Sequence, residues 1–479
     1  MNNFRIHIVI VLLFIIVETG FSLQRADRRT GYVPHSDRIG QLEDKLKTAR
    51  GANRNDVLLA LAGEHYKQAQ LYTLLWLTTA SIGELYYAIM DENDVDAGIA
   101  SDLYRGIGYF ELGKYAEAEK MLNSFLLLAD NLPQQLRNEG KAWLGAVHYV
   151  RGNEQNAIEN WNSIPASVRN ACSTVAYVQA RVGYNLDGLR DNCPADQIAG
   201  EKQTIPQMEM LVSTGQFELL PELINKKTFD AAYVEQKGSE GELRYFNPSE
   251  IVTLSHAHYA LAAYYARDAS SAQKKRFYDG AFYFYTGRYD KAIDVLEGSD
   301  DLTNALYLAA AYYNSGRQTI AQEVFDYIEA AGDNETVRRL HVMYALLDIK
   351  GRNKNVMEAF DIEINSQQSR QRRNVPHDTY KKLGLVYFYN EEYDKALDVL
   401  GAAFRTERRD DLRVNSPEFM ILYGSSIVMA KNFISLSDAI DMFSTVMRAY
   451  PHAEALVEVT SLIDVVTNIG REGRIIYRR

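Results

Sequence analysis

Five segments of the chain share one spacing: a small residue, an aromatic or histidine three later, a turn residue seven later, alanine twelve later and a large apolar residue sixteen later. They begin at Gly106, Gly145, Gly280, Ala309 and Gly384. The residues at the second place are Tyr109, His148, Tyr283, Tyr312 and Tyr387, and those at the turn are Gly113, Gly152, Gly287, Gly316 and Glu391. Ala118, Ala157, Ala292, Ala321 and Ala396 follow, and Leu122, Trp161, Leu296, Phe325 and Leu400 close the pattern. Internal repetition of this kind constrains a fold more than any single motif.

Each place has a physical reason. A small residue lets a neighbouring helix approach, and the aromatic one turn later fills the gap on the same face. A glycine seven on ends the first helix in a left-handed cap. Alanine then starts the buried stripe of a second helix, which the large residue four later continues. Glu391 replaces the turn glycine in the fifth segment, beside Asn390, which tolerates the left-handed conformation. The expected unit is a helical hairpin, and the fold class all-α.

Leu112-Gly-Lys-Tyr-Ala-Glu-Ala118, Thr286-Gly-Arg-Tyr-Asp-Lys-Ala292 and Asn390-Glu-Glu-Tyr-Asp-Lys-Ala396 resemble the tetratricopeptide repeat. That resemblance implies a right-handed superhelix of stacked hairpins. The array is irregular: Gly106 to Gly145 is 39 residues, Gly280 to Ala309 is 29 and Ala309 to Gly384 is 75, against a family period of about 34. The long gap has room for a degenerate unit at Tyr344, Gly351 and Phe360 and a polar insertion at 365–374. Gly424, Ala439, Phe443 and Pro451 suggest a last unit with a lengthened turn holding Ser435 and Ser437. Upstream, Asp56–Ala69 and Tyr72–Met90 read as a capping helix pair.

The organisation expected is a signal peptide over 1–22, a flexible segment over 23–50, a first array over 51–197, a connecting region over 198–250, a second array over 251–470 and a basic tail over 471–479. The connecting region is placed by Pro206, Pro221, Pro248 and the polar run 236–241, although short helices over 207–229 would bridge the arrays. Arg5 followed by the apolar run Ile6–Val17, with Gly20 and Ser22 two apart, forms a secretory signal with cleavage after Ser22. The run is short for a bilayer span of ~20 residues. Left uncleaved, it would tie the chain to a membrane. The compartment expected is a bacterial periplasm, by analogy with other exported repeat arrays.

Cys172 and Cys193 are the only cysteines. Paired in an oxidising compartment they would contribute about 3 kcal/mol. Two buried thiols are the alternative. Without nearby histidines they make too few ligands for a metal, and no cofactor is expected. The net charge of −11 disfavours nucleic acid as a partner. Ten prolines suit long helical arrays, and 32 tyrosines call for apolar contact with a polar outlet, which helix interfaces supply.

In the family, first-helix side chains line a concave groove that holds a peptide or helix. Carried over, the groove residues here are Phe110, Tyr149, Phe284, Tyr313 and Phe388. Exposed, they would form an apolar stripe of binding hot spots. The other reading packs them against the next repeat. Asn314 alone suits a family-type carboxylate clamp, since Glu111, Val150, Tyr285 and Tyr389 stand at its counterparts.

Catalytic signatures are missing: Gly106 and Gly108 fall inside a helix rather than at a strand-to-helix turn, and His256 and His258, two apart on a helix, point to different faces. No small-molecule substrate is expected. The reading is a non-catalytic adaptor binding a protein in an envelope assembly for secretion, pili, motility or energy transduction. A self-assembling shell is the alternative, and an enzyme the remote one.

Overall fold

The computed structural model describes residues 35–91, 95–111, 113–168, 174–192, 204–226, 249–333, 377–406 and 417–430, with helical positions 336, 337, 339, 340, 343, 438, 439, 442 and 443. Among these residues are eighteen α-helices and no strand. The helices are α1 (His35–Thr48), α2 (Gly51–Asp91), α3 (Val95–Glu111), α4 (Tyr115–Leu128), α5 (Gln134–Val150), α6 (Glu154–Asn162), α7 (Thr174–Arg181), α8 (Leu186–Asn192), α9 (Thr204–Thr214) and α10 (Leu220–Lys226). They continue as α11 (Ser249–Arg267), α12 (Ala272–Tyr285), α13 (Tyr289–Leu296), α14 (Leu302–Asn314), α15 (Gln318–Ala331), α16 (His377–Tyr389), α17 (Tyr393–Thr406) and α18 (Pro417–Met429).

The five repeat segments are the hairpins α3–α4, α5–α6, α12–α13, α14–α15 and α16–α17, and their turns share one geometry. Gly113, Gly152, Gly287 and Gly316 have φ between 69° and 83°. In each, the turn residue donates its N–H to the carbonyl three back, and the next residue donates to the carbonyl five back: Gly113 to Phe110 at 2.8 Å and Lys114 to Tyr109 at 2.7 Å. Both bonds satisfy carbonyls that a helix end would otherwise orphan. In the fifth hairpin Glu391 itself, rather than Asn390, takes the left-handed conformation at φ 60° and makes the same pair of bonds.

The crossings explain the small residues. A Cβ on Gly106 would stand 2.7 Å from Leu122 Cγ, one on Gly280 2.6 Å from Leu296 Cγ, and one on Gly384 2.5 Å from Leu400 Cγ. Each clash is with the large residue sixteen later. Ala118, Ala157, Ala292, Ala309, Ala321 and Ala396 are wholly buried. Gly424 meets Phe443 in the same way, 2.9 Å from its Cζ, beside buried Ala439.

Two further hairpins carry the cap without the full residue pattern. Gly183, at φ 75°, joins α7 to α8, with Gly183 N–H donating to Ala180 and Tyr184 N–H to Gln179. Gly215, at φ 78°, follows α9, and Gln216 N–H reaches Leu211. The described part of the expected connecting region is therefore helical: Pro206 and Pro221 sit in the first turns of α9 and α10, where a missing N–H costs nothing.

The described residues form two compact units, one of residues 79–261 and the other of 35–78 with 262–443. In the first, Leu103, Ile107, Leu122, Phe125, Trp143 and Trp161 anchor the core of α3 to α7. In the second, the N-terminal helices differ from expectation. Residues 35–48 are the helix α1, with Ile39 buried, rather than flexible chain. The anticipated pair at 56–90 is the single helix α2, because Ala69-Gln70-Leu71 offers no residue that would end it. From Leu61 through Trp76 only Gly63 and Lys67 retain partial exposure. A stretch buried on every face belongs inside its unit.

Residues 1–34, the cysteines Cys172 and Cys193, the unit proposed around Tyr344, Gly351 and Phe360, Ser435, Ser437, Pro451 and the basic tail lie outside the described residues. No described helix is long and apolar enough to cross a membrane.

Candidate partner groove

Within residues 35–78 and 262–443, the first helices α12 and α14 present Phe277, Tyr278 and Tyr307, and these meet α2. Tyr66 of α2 lies 5.3 Å from the Phe277 ring and 5.8 Å from Tyr278. Its hydroxyl hydrogen-bonds that of Tyr307, which lies 3.2 Å from the Tyr285 hydroxyl. Tyr66 and Tyr307 are fully buried. The hydroxyls serve one another where water is absent, which is what a buried tyrosine requires. This first-helix face is thus occupied by the chain's own helix.

The five rings proposed for a groove are placed accordingly. Phe110, Phe284 and Phe388 are buried. Phe110 packs on Trp143 of the next first helix at 5.1 Å and on Tyr115 at 5.5 Å, and Phe284 packs on Tyr307 at 5.4 Å and Tyr289 at 5.9 Å. Phe388 packs on Tyr393 at 5.3 Å. Tyr149, half-buried, touches Trp161 and Tyr184, and Tyr313 is half-buried. Among the described residues an exposed apolar stripe is therefore not formed: Phe110, Tyr149 and Phe284 each reach a ring of the next hairpin, at Trp143, Tyr184 and Tyr307. Asn314, one residue on, has its amide buried without a hydrogen-bond partner among the described residues.

Tyrosines at the second place of the pattern have a different role. Lys114 lies over Tyr109 at 5.5 Å, Lys291 over Tyr283 at 5.8 Å, Arg317 over Tyr312 at 5.9 Å and Lys395 over Tyr387 at 5.6 Å. A cation from the turn or the start of the second helix thus covers each ring, a contact of about 0.5–1 kcal/mol at an exposed site. In the remaining hairpin His148 stands 3.8 Å from Glu119, which also pairs with Arg151.

Within residues 79–261 the first-helix face holds buried charge. Arg181 donates to Glu111 through Nη2 at 2.6 Å and Nε at 3.4 Å, and the Glu111 side chain has no exposure. Both stand five residues after the small residue of their hairpin, Gly106 and Ala176. Glu209 accepts from Thr253 of α11 at 2.9 Å, with His256 Nδ1 3.9 Å away. Burial works against the Arg181 charge, but Glu111 and Glu209 hold its pKa above the ordinary arginine value. Burial, then the same two carboxylates, push the Tyr177 phenol well up. His256 and His258 are both buried, so they are packing residues and not surface ones.

His65 of α2 is buried and stacked on Tyr265 at 5.4 Å. Burial pushes its imidazole down to about 3, against a smaller opposing pull from Glu64. An unfolded histidine titrates near 6.5, so below that pH the unfolded chain binds a proton that the folded chain refuses. Stability is then lost as pH falls, by about 1.4 kcal/mol from this group between about pH 7.5 and about pH 5.5. Denaturant unfolding at both values should show that loss in the wild type, and His65→Phe should remove it.

One opening remains beside α2, a cavity of about 460 Å³ between α1, α2 and α12. Among the described residues, Arg38, Lys45, Lys67 and Lys274 line it with one carboxylate, Glu64. Glu64 lies 3.1 Å from Lys67 and 3.7 Å from Arg38.

No family model matches the chain, and no curated protein matches it in sequence. Among solved structures, the TPR domain of P58(IPK) aligns over 78 % of this chain and 99 % of its own, with 11 % identity and a TM-score of 0.21. The APC/C hetero-tetramer Cut9–Hcn1 aligns over 89 % of this chain and 93 % of that one, with 13 % identity and a TM-score of 0.26. The tetratricopeptide-like character of the fold rests on the hairpins themselves: their caps, their glycine crossings and their buried alanines.

Proposed function

We propose that the chain is an exported, non-catalytic scaffold that binds other proteins through surfaces its own helices leave open. The observation that carries this reading is the division of apolar side chains. The first-helix rings are spent on internal contacts, whereas Leu127 and Leu128 on α4 and Ile320 and Tyr327 on α15 are exposed. Ile320 and Tyr327 are seven apart, two turns along one face of a second helix. Rigid hairpins that display such side chains provide the anchors that protein interfaces use. Export is supported by the charged head, short apolar run and small residues of 1–22, and an envelope assembly is the setting proposed for the partner.

Photo-crosslinking residues placed at Leu127 and Tyr327 in intact cells test the reading. A reproducible adduct with one protein is expected, on mature chains beginning at Leu23. Adducts only with further copies of this chain, with particle size growing with concentration, would favour a self-assembled shell. No adduct at either place would contradict the scaffold.

A further inference from the structure

We infer that the cavity between α1, α2 and α12 is a docking site for an acidic segment of a partner protein. The inference deepens the scaffold reading and rests on it. Among the described residues, four cations against one carboxylate give the cavity wall a net charge of about +3, in a chain whose net charge is −11. The local sign is therefore opposite to that of the molecule, and such a patch steers and selects an anionic partner.

The placement is built by helix register. Arg38 and Lys45 are seven apart, so both fall on the face of α1 that borders the cavity. Two of the three acids of α1 are engaged elsewhere: Glu43 accepts from the Tyr265 hydroxyl at 3.5 Å, and Asp44 binds Lys47 at 2.7 Å. On α2, Gly63 and Glu64 border the space with Lys67. Arg38 and Lys67 share Glu64, whereas neither Lys45 nor Lys274 has a carboxylate within ion-pair range among the described residues. Both are exposed, so their ammonium groups are available to a ligand.

The cavity also has apolar material, in Leu42, Leu59 and Ala60, with Tyr278 at its border. A segment that pairs glutamates or aspartates with an occasional leucine or valine fits both parts. A recess of this volume admits a few side chains, whereas the flat surface of an anionic bilayer reaches only its rim. Three of the four cations come from α1 and α2, outside the repeated hairpins, so the site is a product of the N-terminal helices lying against α12.

The test uses the full chain and a short fluorescent peptide rich in glutamate and leucine, followed by anisotropy at low and physiological salt. Wild type should bind it, more weakly as salt rises, and should ignore the counterpart with lysine in place of glutamate. Lys45→Glu with Lys274→Glu should weaken binding at least about tenfold. The control pair Lys47→Glu with Lys275→Glu makes the same charge change on the same two helices outside the cavity and should leave binding within about twofold. Equal weakening by both pairs would overturn the site in favour of a diffuse field. Binding to phosphatidylglycerol vesicles without binding to the peptide would overturn it in favour of a membrane surface. If the adduct formed at Tyr327 in cells is captured equally by the cavity variant and the peptide does not bind, the site falls and the scaffold stands. If no adduct forms with the wild type, the scaffold itself falls.

Discussion

Arg181→Met should lower the unfolding free energy by about 3–5 kcal/mol, because it leaves the unexposed Glu111 carboxylate without its guanidinium. The expected loss exceeds that of an ordinary surface ion pair, about 0–1 kcal/mol, since water does not reach Glu111 to replace the partner. Adding Glu111→Leu should recover most of it, as removing both charges of a buried pair is often neutral. Chemical denaturation of the wild type, the two single variants and the double variant gives the coupling directly. A single variant as stable as the wild type would show that Glu111 reaches solvent, and the buried network of the first-helix face would be wrong.

The second large effect concerns the crossings. Gly145→Ala should destabilise by about 2–3 kcal/mol, although alanine gains about 1 kcal/mol in helix propensity. The new methyl group would stand 2.8 Å from Trp161 Cδ1. Trp161 is fixed in turn by donating from Nε1 to the Ala142 carbonyl at 3.0 Å, so moving the ring strains a buried hydrogen bond as well. Gly108→Ala supplies the opposite sign. It lies in the last turn of α3 with nothing within 4 Å of its Cβ position, and should stabilise by up to about 1 kcal/mol. Thermal or denaturant unfolding of the two variants separates the packing role of glycine from its flexibility. Equal shifts would contradict the crossing geometry.

These crossings were legible in the sequence because both partners belong to one hairpin, sixteen residues apart, and the turn between them is fixed by one left-handed residue, glycine in all but the fifth. The hairpins α7–α8 and α9–α10 were less legible. At the alanine place they carry Gly188 and Leu220, so the residue pattern fails while the backbone cap persists at Gly183 and Gly215. Pro206 and Pro221 read as breaks, although a first-turn proline starts a helix as readily as it ends one.

The face that a ring turns to is a long-range matter, and there the sequence was silent. Spacing places Phe284 one turn from Gly280, but what covers it depends on Tyr307 in the next hairpin. Likewise the burial of residues 61–76 of α2 has a local sign, polar residues scattered round the helix rather than gathered in a stripe, whereas its docking site on Phe277, Tyr278 and Tyr307 has none. The pairing of Glu111 with Arg181 had a signal in principle. Opposite charges occupy the same register of two hairpins, and detecting it required the α7–α8 unit to be recognised first.

The central claim is that α2 fills the first-helix face of α12 and α14, so that partners meet the chain elsewhere. Hydrogen exchange resolved to residues 61–76 tests it most directly. The account predicts amide protection in that stretch matching α12 and α14, with release only at global unfolding. Exchange at the rate of a fraying, solvent-bathed helix would contradict it and return the first-helix face to a partner.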